Sequence, residues 1–194
     1  MKTNSTKFIY LFRHPETMVS KGVCYGNSDV LPDEEQLRIA VEKIKAVLNG
    51  TVPDIVYSSP LTRCCKLAEA LAGGIEITVD NLIREIDFGK WEMVSWEAIP
   101  EKEKEAWGLD FINNKVHGGE NFYDVQNRVI QFLEKIVKTN DKTILAITHA
   151  GLLRALLAYL LEASPRKIFA VEIDYGNGIL IKWDNEEYYK IKFL

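Results

Sequence analysis

Short apolar runs alternate along the chain with segments whose apolar residues recur at helical spacing. Phe8 to Phe12 is a continuous apolar run and reads as a buried strand. Leu37, Ala40, Val41, Ile44, Val47 and Leu48 follow at i, i+3, i+4, i+7, i+10 and i+11, one face of a helix. Ile55-Val56-Tyr57 predicts a second strand. Ser59-Pro60 predicts a helix start, with the serine as N-cap and the proline in the first turn. Leu61, Cys64, Cys65, Ala68, Leu71 and Ala72 would form its apolar face, and Gly73-Gly74 its end. Ile75 to Val79 predicts a strand. Residues 81–119 are less regular, carry Trp91, Trp96 and Trp107, and predict short helices over one edge of the domain. Phe122, Val125, Val129, Phe132, Leu133, Ile136 and Val137 mark a long helix. A strand over 143–148 and a strongly apolar helix over 151–161 come next. The tail alternates as strands over 168–173, 178–183 and 188–193, with Asp184-Asn185-Glu186 as a hairpin turn between the last two.

Alternating strand and helix implies an α/β fold with a mostly parallel sheet covered on both faces. The 194 residues fit one domain spanning 1–194, large enough to bury a core without staples. The opening stretch is not read as a secretory signal, because its apolar run covers only Phe8 to Phe12 and meets Arg13-His14. No apolar run is long enough to span a bilayer. With three cysteines, two of them adjacent, a disulfide framework is poor, and a cytoplasmic protein is expected. A net charge of −4 argues against general nucleic-acid binding. A small-molecule ligand is the expected partner, with the chain a monomer or homodimer.

In parallel sheets ligands sit at the carboxyl ends of strands, and chemistry-bearing residues gather there. The first strand runs into Arg13-His14, the second through Ser58-Ser59-Pro60 toward Arg63, and the strand over 143–148 into His149. Adjacent residues face opposite sides of a strand, so Arg13 and His14 can share a site only if the strand ends there, as Pro15 indicates. Arg63, about one turn into its helix, would lean back toward the free N–H groups of the helix start, a natural anion site. Two planar guanidinium forks suit the paired oxygens of a phosphate. A neutral histidine whose other ring nitrogen holds its proton on an acceptor can attack phosphorus. Glu85, after the third strand and among apolar neighbours, is the candidate proton donor for the leaving alkoxide.

The segment Phe12-Arg13-His14-Pro15-Glu16-Thr17 resembles the R-H-G-E-T signature of the histidine phosphatase, or phosphoglycerate mutase-like, superfamily. Further stretches resemble its later motifs: Val56 to Arg63, Arg84 to Glu92, Gly118-Gly119-Glu120 with Asp124 and Arg128, and Thr148 to Gly151 with Leu153-Arg154. The resemblance implies a three-layer α/β/α sandwich and a phosphate-monoester hydrolase without metal or organic cofactor. His14 would carry a transient phosphoryl group. Arg13, Arg63 and His149 would bind the phosphate, and Glu85 would act as acid and then base. Arg13, Thr17, Tyr25, Gly26, Asn27, Arg63, Ala150 and Gly151 would contact substrate. Pro15, Ala150 and Met93 replace glycines common in the family, and His117 replaces a frequent proline.

Gly22 to Val30, with Cys24-Tyr25-Gly26 at its centre, resembles the corresponding loop of α-ribazole-5′-phosphate phosphatases, which act in cobalamin nucleotide-loop assembly. It reads equally as a plain glycine-rich turn. The alternatives are a phosphomutase, a broad-specificity sugar-phosphate phosphatase and a non-catalytic phospho-ligand binding domain. Mutases of the family carry insertions that this chain lacks, and degenerate binding domains lose the histidine or the acid. No cysteine begins the Cys-x5-Arg pattern of cysteine phosphatases, and the three histidines lack the paired spacing of a metal helix. Gly176-x-Gly178 is too short for a dinucleotide fingerprint, and Asn121 with Asp124 predicts a helix cap. Trp91, Trp96 and Trp107 read as core packing or as a lid over an apolar substrate, and His117 as structural or at the rim.

Overall fold

A computed structural model describes residues 6–194. Residues 1–5, part of the stretch read against a secretory signal, lie outside the described residues. In chain order the elements are β1 (Lys7–Arg13), β2 (Val23–Cys24), α1 (Glu34–Leu48), β3 (Ile55–Ser58), α2 (Thr62–Ala72) and β4 (Ile77–Val79). There follow 3₁₀ turns at Asn81–Ile83 and Gly89–Trp91, then β5 (Val94–Ser95), α3 (Glu101–Leu109), α4 (Phe122–Val137) and β6 (Thr143–Thr148). The chain closes with α5 (Ala150–Leu160), α6 (Pro165–Ile168), β7 (Gly178–Trp183) and β8 (Tyr189–Phe193).

The central sheet runs β4-β3-β6-β1-β7-β8. Its first four strands are parallel, and β7 and β8 extend it antiparallel as a hairpin. Alternation along each strand builds the three layers. Ile9, Leu11, Ile144 and Ala146 face one core with α4 and α5 residues such as Phe132, Ile136, Leu153 and Leu156. Tyr10, Phe12, Leu145 and Ile147 face the other, with Ala40 and Ile44 of α1 and Leu67 and Ala68 of α2. The fold is the α/β/α sandwich with a mostly parallel sheet.

The register explains why three strand ends meet. β6 lies between β3 and β1, with Ser58 opposite Ile147 and Arg13 opposite Thr148. His14 N–H donates to the Thr148 carbonyl at 2.9 Å, the last rung before the chain turns away.

Four expectations change. The strand expected over 168–173 is absent; Ser164-Pro165 opens the short α6, with proline in its first turn. β7 already holds the edge of β1, so the chain after α6 turns its carbonyls to arginines instead. Ile173 accepts from Arg13 and Val171 from Arg154. Ser59 does not cap α2. That helix starts at Thr62, and Asp29 from the β2–α1 loop receives both the Thr62 N–H and its hydroxyl. The buried face of α2 is Arg63, Cys64, Leu67, Ala68 and Ala72, while Cys65 and Leu71 are half-buried. Over residues 81–119 the short helical pieces do form, joined by a two-stranded ladder of β2 with β5 that periodicity did not indicate. Asn121 and Asp124 form a reciprocal capping box at α4. Met93 sits at φ 62°, in the left-handed region, which is why glycine suits that position.

Candidate active site

His14 is buried, and its Nδ1 lies 2.7 Å from the Pro15 carbonyl. A carbonyl only accepts, so Nδ1 carries the proton and Nε2 keeps its lone pair. Burial, then the charges of Arg63 and Arg13, hold the ring's pKa well below its ordinary 6.5. The ring is therefore neutral at physiological pH, the state a nucleophile requires.

Arg13 and Arg63 are held differently. Arg13 donates from Nη1 to the Ile173 carbonyl at 2.7 Å and lies 3.7 Å over the ring of Tyr175. Arg63 is fully buried, and its two Nη atoms donate to the carbonyls of Ser28 and Gly26 at 2.7 and 2.6 Å. It therefore faces the 26–28 loop rather than the start of its own helix. Among the described residues, only Arg13 Nε, Arg63 Nε and Asn177 Oδ1 are buried side-chain polar atoms without a hydrogen-bond partner. An oxyanion would satisfy the two orphaned guanidinium donors.

His149 is fully buried, its ring centroid 5.0 Å from that of His14. Arg63 Nη2 approaches its Nδ1 at 3.4 Å, so Nε2 carries the proton and donates to Ser59 Oγ at 2.8 Å. Burial, then Arg63 and His14, also hold its pKa well below 6.5. His149 backs the site without lining its cavity. Ser59, expected to be a helix cap, is the residue that orients it.

Glu85 reaches the site from the segment after β4. Its Oε2 accepts the Gly151 N–H at 3.2 Å and its Oε1 the Ile86 N–H at 3.1 Å. The start of α5 is thus occupied by this carboxylate, which seats only because residue 151 lacks a side chain. An added Cβ would meet Glu85 Oε1 at 2.4 Å. Buried Arg128 clamps the segment by donating to the carbonyls of Leu82, Arg84 and Glu85 while pairing with Glu120. Glu120 in turn receives Arg84 and the Asp87 N–H.

Two cavities meet at Glu85. The smaller, about 180 Å³, is lined by Arg13, His14, Arg63, Glu85 and Tyr175, with Val23, Cys24, Tyr25, Phe88 and Trp96. The larger, about 230 Å³, is mostly apolar, with Ile86, Phe88, Trp107, Phe111, Phe122, Val125 and Phe169 among its walls. Arg13, Tyr25, Glu85 and Phe88 line both. Ala150 and Gly151 also line the larger one, as does Arg154, fixed through Nε to the Val171 carbonyl. Tyr25 bonds to Tyr175 across the mouth at 3.0 Å. Of the other expected rim residues, Thr17 is buried and bridged to Pro32, Gly26 is tied to Arg63, and the Asn27 side chain bonds to Asp87. None of these three lines either cavity. Trp91 is core, whereas Trp96 and Trp107 are cavity walls, so the tryptophan cluster serves as both. His117 lines a separate surface groove.

The two neutral histidines give the fold an acid sensitivity. Unfolding returns each ring to its ordinary pKa of 6.5. Below that pH the unfolded chain takes up protons that the folded one refuses, so stability falls as pH drops from 6.5 toward the depressed folded values. The slope approaches about 1.4 kcal/mol per pH unit for each ring. Urea midpoints should fall between about pH 7.5 and about pH 5.5; unchanged midpoints would mean that the rings charge inside the fold.

A neutral imidazole with a bare nitrogen shares one cavity with two guanidinium groups at the carboxyl end of a parallel sheet, a lining whose charge and donors suit an oxyanion. The sequence profile of the histidine phosphatase superfamily (branch 1) matches residues 9–193, and the chain belongs to this superfamily of phosphatases. Phosphoserine phosphatase 1 of Hydrogenobacter thermophilus is 32% identical over 134 residues, covering 66% of this chain and 64% of that protein. Adenosylcobalamin/alpha-ribazole phosphatase of Escherichia coli is 24% identical over 174 residues, 87% of this chain and 86% of that one. The crystal structure of the alpha-ribazole phosphatase from Shigella flexneri shares the fold, with a TM-score of 0.86 at 22% identity over 96% of this chain and 95% of that chain. No helix among the described residues is long and apolar enough to cross a membrane. None of their His, Cys, Asp and Glu residues form a group that could hold a metal ion.

Proposed function

We propose that the chain, working as one domain, hydrolyses small phosphate monoesters through a phosphohistidine on His14. The observation that carries this reading is the bare Nε2 of a neutral His14 beside two guanidinium groups with orphaned donors. Nε2 attacks phosphorus in line, while Arg13 and Arg63 take up the charge of the equatorial oxygens. His149 holds Arg63 and the back of the His14 ring. Glu85, at the junction of the two cavities, stands where the ester oxygen lies when phosphate fills the smaller one. Its carboxyl proton passes to the leaving alkoxide. Its carboxylate then takes a proton from the water that cleaves the P–N bond and frees His14. Gly151→Ala tests that seat. The carboxylate has to swing away while the backbone stays put, so stability changes by less than about 1 kcal/mol and kcat on alkyl phosphates falls about 100-fold. Unchanged kcat would show that the seat does not matter.

The larger cavity speaks for an apolar, planar leaving group. α-Ribazole 5′-phosphate is the preferred substrate, its benzimidazole set among Phe88, Trp107, Phe111 and Phe169. Phosphoserine is the competing candidate, but its ammonium would find no carboxylate in that cavity besides Glu85. Burying an aromatic group contributes about 1.5–3 kcal/mol, or roughly 10- to 150-fold in kcat/KM. Steady-state rates should favour α-ribazole 5′-phosphate over phosphoserine by that margin. The reverse order would retract the substrate and leave the phosphohistidine reading standing.

A further inference from the structure

We propose that Glu92 is a positioning residue that sets the Arg63 guanidinium through the backbone of the 26–28 loop, and so sets the affinity of the site for a tetrahedral oxyanion. The inference rests on the phosphatase reading above. Glu92 lines neither cavity. Its Oε1 accepts the N–H groups of Asn27 and Phe88 at 2.9 and 2.8 Å. Its Oε2 accepts those of Gly26 and Ser28 at 3.0 and 3.1 Å, and the Ser28 hydroxyl as well. Five donors converge on one half-buried carboxylate. Burial opposes its charge, yet the Ser28 hydroxyl and the Phe88, Gly26 and Asn27 N–H groups hold its pKa below the usual carboxylate value.

The path to Arg63 is one peptide unit long. The Gly26 carbonyl and the Asn27 N–H belong to the same planar trans peptide and point in opposite directions. Glu92 holds the N–H end, and Arg63 Nη2 holds the carbonyl end at 2.6 Å. Ser28, anchored to Glu92 through N–H and hydroxyl, offers its carbonyl to Arg63 Nη1 at 2.7 Å. Each Nη atom thereby has a loop carbonyl as its shortest partner, Nη2 also approaches His149 Nδ1 at 3.4 Å, and Nε is the buried guanidinium nitrogen without a partner. At Gly26 the loop passes tightly against the 86–92 segment. An added Cβ at Gly26 would meet the Ile86 carbonyl oxygen at 2.0 Å and the Phe88 ring at 2.8 Å.

A double-mutant cycle on vanadate inhibition, with folding followed by thermal melting, tests the inference. Arg63→Ala should weaken vanadate binding roughly 10- to 100-fold, as expected for hydrogen bonds to a charged group. Glu92→Gln keeps the size but points an amide NH₂ at N–H donors, and should weaken binding about tenfold. In the Arg63→Ala background Glu92→Gln should add nothing. Full additivity, or an unchanged inhibition constant for Glu92→Gln alone, would overturn the positioning role. No effect of Arg63→Ala itself would sink the phosphate-site reading beneath it. If Glu92→Gln does not fold, Ser28→Ala removes one of the five donors and leaves the backbone contacts. It should weaken vanadate binding only when Arg63 is present, and an equal effect in both backgrounds would count against the role.

Discussion

Replacing His14 with alanine is expected to lower kcat by roughly 10⁴-fold or more, as removal of a covalent nucleophile does in other hydrolases. The expectation follows from a division of labour in the site. Arg13 and Arg63 bind and stabilise charge, Glu85 moves a proton, and only His14 presents an unprotonated nitrogen to the smaller cavity. The fold should survive. The substitution deletes one buried ring and leaves the Pro15 carbonyl without its partner, a cost of about 1–3 kcal/mol. Thermal melting with steady-state kinetics separates the effects, because a folded but inactive variant that still binds vanadate is the expected outcome. A folded His14→Ala variant with near-normal turnover would remove His14 from the nucleophile role.

Glu85→Gln should divide substrates by leaving group. The variant preserves shape and can still accept the Gly151 N–H, but it has no acidic proton. Alkyl phosphates release a strongly basic alkoxide and should slow by about 10²- to 10⁴-fold, the usual contribution of a positioned general acid. p-Nitrophenyl phosphate releases a stabilised phenolate and should slow by less than about tenfold. Equal losses on both substrates would leave Glu85 a structural role at the start of α5.

The two kinds of expectation made from sequence fared differently. The strands and helices of the sandwich were legible because each buries a face, and burial writes a period into the chain. Phe8 to Phe12 is apolar throughout because it feeds cores on both sides of the sheet. The strand-end rule likewise located His14, Arg63 and His149. Polar residues that act through tertiary contacts leave no such period. Ser59 looked like a helix cap because its local context fits one; Asp29, 33 residues before Thr62, took the Thr62 N–H and freed Ser59 for His149. The Ile168–Ile173 run alternates like a strand, yet no free edge was open beside β1. Arg128 and Glu120 stand in a stretch that resembles a family motif, but their work shows only in three dimensions: Arg128, paired with Glu120, holds the Glu85 carbonyl 43 residues back along the chain. Tyr175 carried no sequence signal beyond residue type, and Glu92 only its place at the end of a stretch that resembles a family motif, with nothing to indicate that it gathers the 26–28 loop.

The central claim is a covalent bond between His14 and phosphorus, and the stereochemical course at phosphorus tests it most directly. Each in-line displacement inverts the phosphoryl group. A phosphorothioate ester made chiral at phosphorus with oxygen isotopes, and hydrolysed by way of His14 in isotopically labelled water, must therefore release chiral inorganic thiophosphate with net retention. Net inversion would mean that water attacks the ester in a single step and would contradict the account.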